Sequence, residues 1–209
     1  MTVAEPVTVL TDYILAVTGC LLGIRLRRAA DGHESRRLLA AALLFTGVSA
    51  LVGGTSHGLG SRLDRWAHDA FWLVTYYALG LANLALIAAA VRAFLRPRLR
   101  PWLLTALWLR LLLYVALLAP RRELRYVVYD AVLTAAIVLA LAALAAWTRR
   151  DPSVPWLVAG VAVSMAGASA QVVRLALHPL FNHNDLFHVV QTLGLVLFYE
   201  AGRRLADRD

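Results

Sequence analysis

The stretch LLAAALLFTGVSALVGGTSHG, residues 38–58, holds no acidic residue and no arginine, and its only ionisable side chain is His57 near its end. A helix of about 20 apolar residues crosses the hydrocarbon core of a bilayer, so this stretch predicts a membrane span. Ionisable side chains are costly inside a membrane and tend to mark functional sites. The same 21 letters therefore predict both the fold class and a polar site at one end of a span.

Six further apolar segments of similar length occur along the chain, separated by short polar, arginine-rich or proline-containing breaks. The chain is 60% hydrophobic and only 16% charged, whereas a soluble domain carries about 25% charged residues. We predict an all-α integral membrane bundle of seven transmembrane helices, forming a single domain over residues 1–209. The six further spans are expected at about 7–25, 67–91, 101–119, 124–147, 154–177 and 184–202.

All 21 basic residues are arginines. Without lysine no Schiff base can form, which excludes a retinal-binding photoreceptor. Fourteen arginines fall after the first, third and fifth spans or at the C-terminus, and five fall on the opposite side. The positive-inside rule then places the N-terminus outside and the C-terminus in the cytoplasm, as expected for a bacterial inner membrane protein. These short clusters between spans argue against a nucleic-acid partner.

The polar residues within the spans share one end of the predicted bundle. At about 1.5 Å per residue, counting from the hairpin turns places four of them at a common depth of about 10 Å below the outer boundary. These four are His57, Asp69, Arg174 and His188. Asp12 enters the first span from the same side, and Gln171 and Gln191 lie somewhat deeper. We therefore expect a site near the outer face.

Arg110 and Asp130 form a separate pair. Each lies ten positions from Pro120, where the fourth and fifth spans turn, so they should face each other at equal depth. The sequence favours a buried ion pair that ties the two helices together. A contact between Arg110 and a substrate is the alternative.

Several imidazoles with a nearby carboxylate suggest a metal site. Three histidines and one open position are the ligand set of a catalytic zinc ion, which lowers the pKa of its water and polarises a carbonyl group. Asp69 is then placed to take the proton as general base. We predict a zinc-dependent hydrolase acting on an amide or ester of a membrane lipid from the outer leaflet.

This arrangement resembles the superfamily of alkaline ceramidases, progestin and adiponectin receptors and hemolysin III-like proteins. The shared features are seven spans, a histidine late in the second span, an aspartate early in the third and paired histidines around the seventh, all at one membrane face. The resemblance implies zinc held by His57, His183 and His188, with Asp69 holding or activating the zinc-bound water.

The chain departs from that superfamily at two places. Gly53 stands where its members usually have a serine, which leaves Ser49 and Ser56 as displaced candidates for the catalytic serine. The last two histidines are five residues apart instead of four, so an ideal helix sets them about 140° apart. His183 can share an ion with His188 only if the helix starts after it. Otherwise Asp185, three residues before His188, replaces it as a ligand.

The remaining polar side chains are assigned to the substrate. Ser49, Ser56 or Arg174 would stabilise an oxyanion, and Arg174, Gln191 and Asp12 would contact the lipid.

Two other functions fit the same residues. A membrane cytochrome would use two histidines on different helices to ligate haem, and a receptor or other non-enzymatic module would use the polar cluster as a binding pocket.

Overall fold

The computed structural model describes residues 5–208 and, at Arg149, the backbone alone. Within that range the chain folds into seven long helices with no named strand. They are α1 (Pro6–Arg28), α2 (Glu34–Leu59), α3 (Arg65–Phe94), α4 (Arg100–Arg121), α5 (Leu124–Arg149), α6 (Val154–Val172) and α7 (His183–Gly202). Among the described residues six helices, α1 to α6, are long and apolar enough to cross a membrane. The prediction of an all-helical bundle with membrane spans is thus confirmed for α1 to α6. Helix α7, which begins with polar turns, is not among the six.

Six of the helices form a closed ring, and the remaining helix, α4, lies outside it. Each of α1, α2, α3, α5, α6 and α7 packs against the next, and α7 closes the ring on α1. Helix α4 packs on the outside against α3 and α5. This arrangement leaves room at the centre of the ring, where the candidate site lies.

Helices α1 and α2 pack backbone against backbone. A methyl group added to Gly19 would lie 2.9 Å from the carbonyl oxygen of Leu43, and one added to Gly47 would lie 2.9 Å from that of Ala16. Small residues at helix interfaces allow such close approach inside membranes. The contact holds the middle of α1 against α2.

Helix α6 is shorter than the sequence predicts. It ends at Val172, and the chain continues through an irregular segment to the start of α7. Arg174 adopts a left-handed backbone conformation, with φ of 56°, and is exposed. The prediction that Arg174 lies inside the sixth span is therefore wrong, because the helix stops two residues before it.

The C-terminal segment caps the start of α2. Asp207 accepts hydrogen bonds from the backbone N–H groups of Glu34, at 2.7 Å, and Ser35, at 2.8 Å. Arg36 donates to the carbonyl oxygen of Leu205 at 2.7 Å. These bonds satisfy N–H groups that have no partner within the helix, so the last residues of the chain hold the end of the bundle where α1 and α2 meet.

We expect the stabilising effect of Asp207 to disappear in acid. Partial burial alone would raise its pKa, but the hydrogen bonds from Ser35 and Glu34 outweigh burial, and the pKa of Asp207 lies below its usual range. Asp207 therefore stabilises the fold above the unfolded-state pKa of about 3.9, and this stabilisation is lost as the pH falls through the lower folded-state pKa. Asp207→Ala should cost about 1 kcal/mol at pH 7.

Thermal unfolding in detergent across pH tests this expectation. The difference between wild type and Asp207→Ala should shrink as the pH falls below about 4. Glu123→Ala is the matched control, because its exposed pair with Arg125 should contribute little. A difference that persists unchanged in acid would contradict the capping role.

Candidate active site in the bundle cavity

A cavity of about 610 Å³ lies inside the ring of helices. Its wall is apolar over most of its length, with side chains such as Leu15, Leu43, Leu79 and Met165. Polar side chains of α1, α2, α6 and α7 line the part of the wall near the start of α7. They are Asp12, His57, Gln171, Asn184, His188 and Gln191. The cavity therefore suits an amphiphilic ligand with one polar end.

His188 is the most fully bonded of these polar groups. Its Nε2 lies 3.2 Å from Oδ1 of Asp12, and its Nδ1 lies 3.1 Å from the hydroxyl oxygen of Thr11. The Thr11 hydroxyl also lies 3.0 Å from the carbonyl oxygen of Thr8, to which it donates. Asp12 is 3% exposed and His188 is 6% exposed. Helix α1 therefore supplies partners to both nitrogens of the ring.

The hydrogen of the Thr11 hydroxyl decides whether the contact between His188 and Asp12 accepts a cation. When Thr11 donates this hydrogen to Thr8, its oxygen accepts from the Nδ1–H of His188. Nε2 of a neutral ring then faces a carboxylate oxygen, both atoms are acceptors, and a proton or a cation completes the contact. When Thr11 instead donates to Nδ1, the ring carries its hydrogen on Nε2 and donates it to Asp12.

Two buried carboxylate oxygens beside this contact have no hydrogen-bond partner. They are Oδ2 of Asp12 and Oδ1 of Asp185. The other oxygen of Asp185 accepts from the backbone N–H of Asn182 at 2.7 Å, within the capping box that starts α7. Burying an unpaired carboxylate oxygen is costly, so the surroundings of Asp12 favour a positively charged occupant.

His57 lines the same cavity from α2. Its Nδ1 lies 3.0 Å from a carboxylate oxygen of Glu5, and the centroids of its ring and that of Trp72 are 5.2 Å apart, edge to face. His57 and His188 are therefore both brought to one cavity, as the hairpin arithmetic predicts. Its neighbour Ser56 is buried, with a hydroxyl that has no partner. Ser49 lines the cavity and donates to the carbonyl oxygen of Thr75.

The structure leaves other predicted site residues outside the described cavity lining. Asp69 forms an ion pair with Arg122, which follows α4 in a left-handed conformation and reaches the start of α3. His183 is the first residue of α7, so the condition under which it would share an ion with His188 is not met. Asp185, the substitute ligand, is buried behind the lining at 1% exposure.

Helix α1 contributes more side chains to the site than the sequence predicts. Asp12 is predicted only as a contact to substrate, and Thr8 and Thr11 are not predicted at all. Positions separated by three and four residues share one face of a helix, and Thr8, Thr11 and Asp12 have this spacing. That pattern is the signal that would have placed a polar face of α1 against the site.

The ion pair between Arg110 and Asp130 is confirmed. A guanidinium nitrogen of Arg110 lies 2.6 Å from Oδ1 of Asp130, and both side chains are largely buried. Asn83 donates to the second oxygen of Asp130 at 2.7 Å. Asn83 also lines the cavity, so this pair connects the outer helix α4 to the cavity wall.

One side of the cavity faces outward between α5 and α6. Val132 on α5, and Val172 and Val173 at the end of α6, line the cavity and are also 54%, 59% and 71% exposed, respectively. The same apolar side chains thus border both the cavity and the surroundings of the bundle.

The side chains in the cavity fit zinc in type. His57, His188 and Asp12 are two imidazoles and a carboxylate, a ligand set found in catalytic zinc sites with one open position. The 3.2 Å between Nε2 of His188 and Oδ1 of Asp12 suits two ligands of one tetrahedral ion. Among residues 5–208, no three His, Cys, Asp or Glu side chains are already close enough to hold an ion. These three side chains would therefore have to close around zinc.

A family model described as a family of unknown function, DUF6962, matches residues 7–207. The chain belongs to the DUF6962 family. The match covers α2 to α7 and nearly all of α1, so every helix that contributes to the cavity lies within the family region. No curated protein and no solved structure matches the chain.

Proposed function

We propose that this DUF6962 member is a zinc-dependent intramembrane hydrolase that acts on an amide or ester of a long-chain lipid. The observation that carries the proposal is the buried contact of His188 with Asp12 at the polar end of an otherwise apolar cavity. With the Thr11 hydroxyl donating to Thr8, that contact accepts one cation, and an unpaired carboxylate oxygen adjoins it.

In this proposal His57, His188 and Asp12 hold the zinc ion. When bound, zinc lowers the pKa of a water molecule and polarises the substrate carbonyl group. Thr11 holds the His188 ring so that Nε2 points toward the ion, as a hydrogen-bonded neighbour does in other metal sites. Oδ1 of Asp12 would hold the ion beside Nε2 of His188, and its unpaired Oδ2 would accept the proton of the attacking water. Asp69 is not used, because its carboxylate is paired with Arg122.

The substrate assignment rests on the shape and chemistry of the cavity. Its apolar wall suits an acyl chain, and its exposed side between α5 and α6 suits entry from the bilayer. At the polar end Gln171 donates to Asn184 at 3.1 Å, and Gln191 adds a further amide group. Ser49 lines the cavity but donates to Thr75, and Ser56 is buried outside the described lining, so neither serine is assigned to the oxyanion.

The orientation of the protein is part of the proposal. The arginine distribution supports an N-terminus outside and a C-terminus in the cytoplasm of a bacterial inner membrane. Helix α7 is then the seventh span, and its polar first turns lie near the outer face. The substrate would accordingly come from the outer leaflet.

Removal and return of zinc tests the proposal. Purified protein should hydrolyse a long-chain N-acyl or O-acyl lipid, lose this activity after chelation and regain it with zinc. Asp12→Asn should lower the rate by a factor on the order of 10² to 10⁴, while Asp31→Asn, an exposed acid on the loop before α2, should not. Hydrolysis that survives complete metal removal would contradict the zinc requirement.

A further inference from the structure

The cavity has a second polar position far from His188. Asn83 on α3 and Thr134 on α5 line it, and both belong to the network around Asp130. Asn83 lies eleven residues beyond Trp72, whose ring contacts His57. At the rise of an α-helix this separation is about 16 Å. The wall between the two levels includes Leu79, Ala50 and other apolar side chains, and also Ser49 and Thr75, whose hydroxyls donate to backbone carbonyl oxygens.

The hydrogen bond with Asp130 determines which amide atom of Asn83 remains available to a ligand. An ionised carboxylate only accepts hydrogen bonds, so the amide nitrogen of Asn83 must point toward Asp130. Its amide oxygen then points to another side and accepts no side-chain hydrogen bond within residues 5–208. The Thr134 hydroxyl is already used, since it donates to the Asp130 carbonyl oxygen and accepts from Arg110.

The ion pair between Arg110 and Asp130 holds Asn83 in place. One oxygen of Asp130 binds Arg110 at 2.6 Å and the other binds Asn83 at 2.7 Å. An apolar chain end beside Asn83 would displace solvent from the amide oxygen and leave it without a donor, which is unfavourable. A hydroxyl supplies that donor, and its own oxygen accepts from the second N–H of the amide.

We propose that Asn83 is a second binding position, specific for a hydroxyl group on the chain of an amphiphilic ligand. The ligand has its polar head at His188 and carries the hydroxyl about 16 Å deeper. An extended chain advances about 1.2 Å per bond, so the hydroxyl lies about 13 bonds from the head. This inference rests on the proposed function in one respect, the placement of the ligand's polar head at His188.

Binding of ω-hydroxy alkylamines tests the proposal without hydrolysis, because their cationic head suits the unpaired carboxylate oxygen of Asp12 in metal-free protein. Chelator-treated protein in lipid nanodiscs is loaded with an undecylamine that carries a dansyl group at its far end, which is displaced by amines of about ten to sixteen carbons, with and without a terminal hydroxyl. The hydroxyl should improve displacement about tenfold at one chain length, near twelve to fourteen carbons, and less at the others. These amines contain no amide or ester, so a failure of the hydrolase proposal would not change the result.

Variants locate the effect at Asn83. Asn83→Leu should abolish the gain from the hydroxyl while keeping affinity for the unsubstituted amine. Should that variant not fold, Asn83→Ala replaces it, because alanine offers the ligand no acceptor and leaves space for water beside Asp130. Thr46→Val is the matched control, since Thr46 lines the cavity but donates to the Ala42 carbonyl oxygen. No gain at any chain length, or a gain that survives both Asn83 substitutions, would overturn the proposal.

Discussion

Replacing His188 by alanine should lower lipid hydrolysis on the order of 10³-fold or more and remove bound zinc from the purified protein. His188 contacts Asp12 and Thr11 through its two ring nitrogens, so no other side chain supplies the same pair of bonds. Steady-state hydrolysis, measured on protein of known zinc content, checks the expectation.

His183→Ala is the matched control for this substitution. It removes a histidine from the same helix, five residues away, that lies outside the described cavity lining. We expect it to keep most of the activity and all of the zinc. Should His183→Ala lose zinc as completely as His188→Ala does, the three-histidine set implied by the resemblance would be correct and our ligand assignment wrong.

Replacing Arg110 by leucine should destabilise the protein by about 3 to 5 kcal/mol. The substitution leaves the buried carboxylate of Asp130 with Asn83 as its remaining side-chain donor. It also removes the ion pair that joins α4, the helix outside the ring, to α5. Chemical unfolding in detergent micelles, followed by tryptophan fluorescence, provides the measurement.

Two companion variants separate the ion pair from general disruption. Arg125→Leu removes an arginine from an exposed pair with Glu123 and should cost at most about 1 kcal/mol. The double replacement of Arg110 and Asp130 by leucine should be less destabilising than Arg110→Leu alone, because no unpaired charge is left. A double variant that is worse than both single ones would show that the pair is not the source of the loss.

Helix rise accounts for what the sequence predicts well. Because each residue advances a helix by about 1.5 Å, counting from a hairpin turn gives the depth of a side chain without any knowledge of packing. That arithmetic pairs Arg110 with Asp130 and brings His57 and His188 to one cavity. The apolar runs likewise predict all seven helices, with most ends within a few residues.

Rotation about the helix axes accounts for what the sequence does not predict. Asp69 has a suitable depth, but its carboxylate turns to Arg122, and that contact depends on a left-handed residue after α4. Arg174 is placed too deep because apolar residues continue beyond the true end of α6 at Val172. The capping box of Asn182 and Asp185 starts α7 at His183, so His183 does not fold back from the turn toward His188.

The metal content of the purified protein tests the central claim most directly. Elemental analysis of the wild type should find about one zinc per chain, and parallel analysis of His188→Ala and Asp12→Asn should find far less. The same preparation of His183→Ala should match the wild type. One iron per chain with a haem absorbance would indicate a cytochrome. A folded protein that lacks metal and binds no added zinc would contradict the hydrolase account.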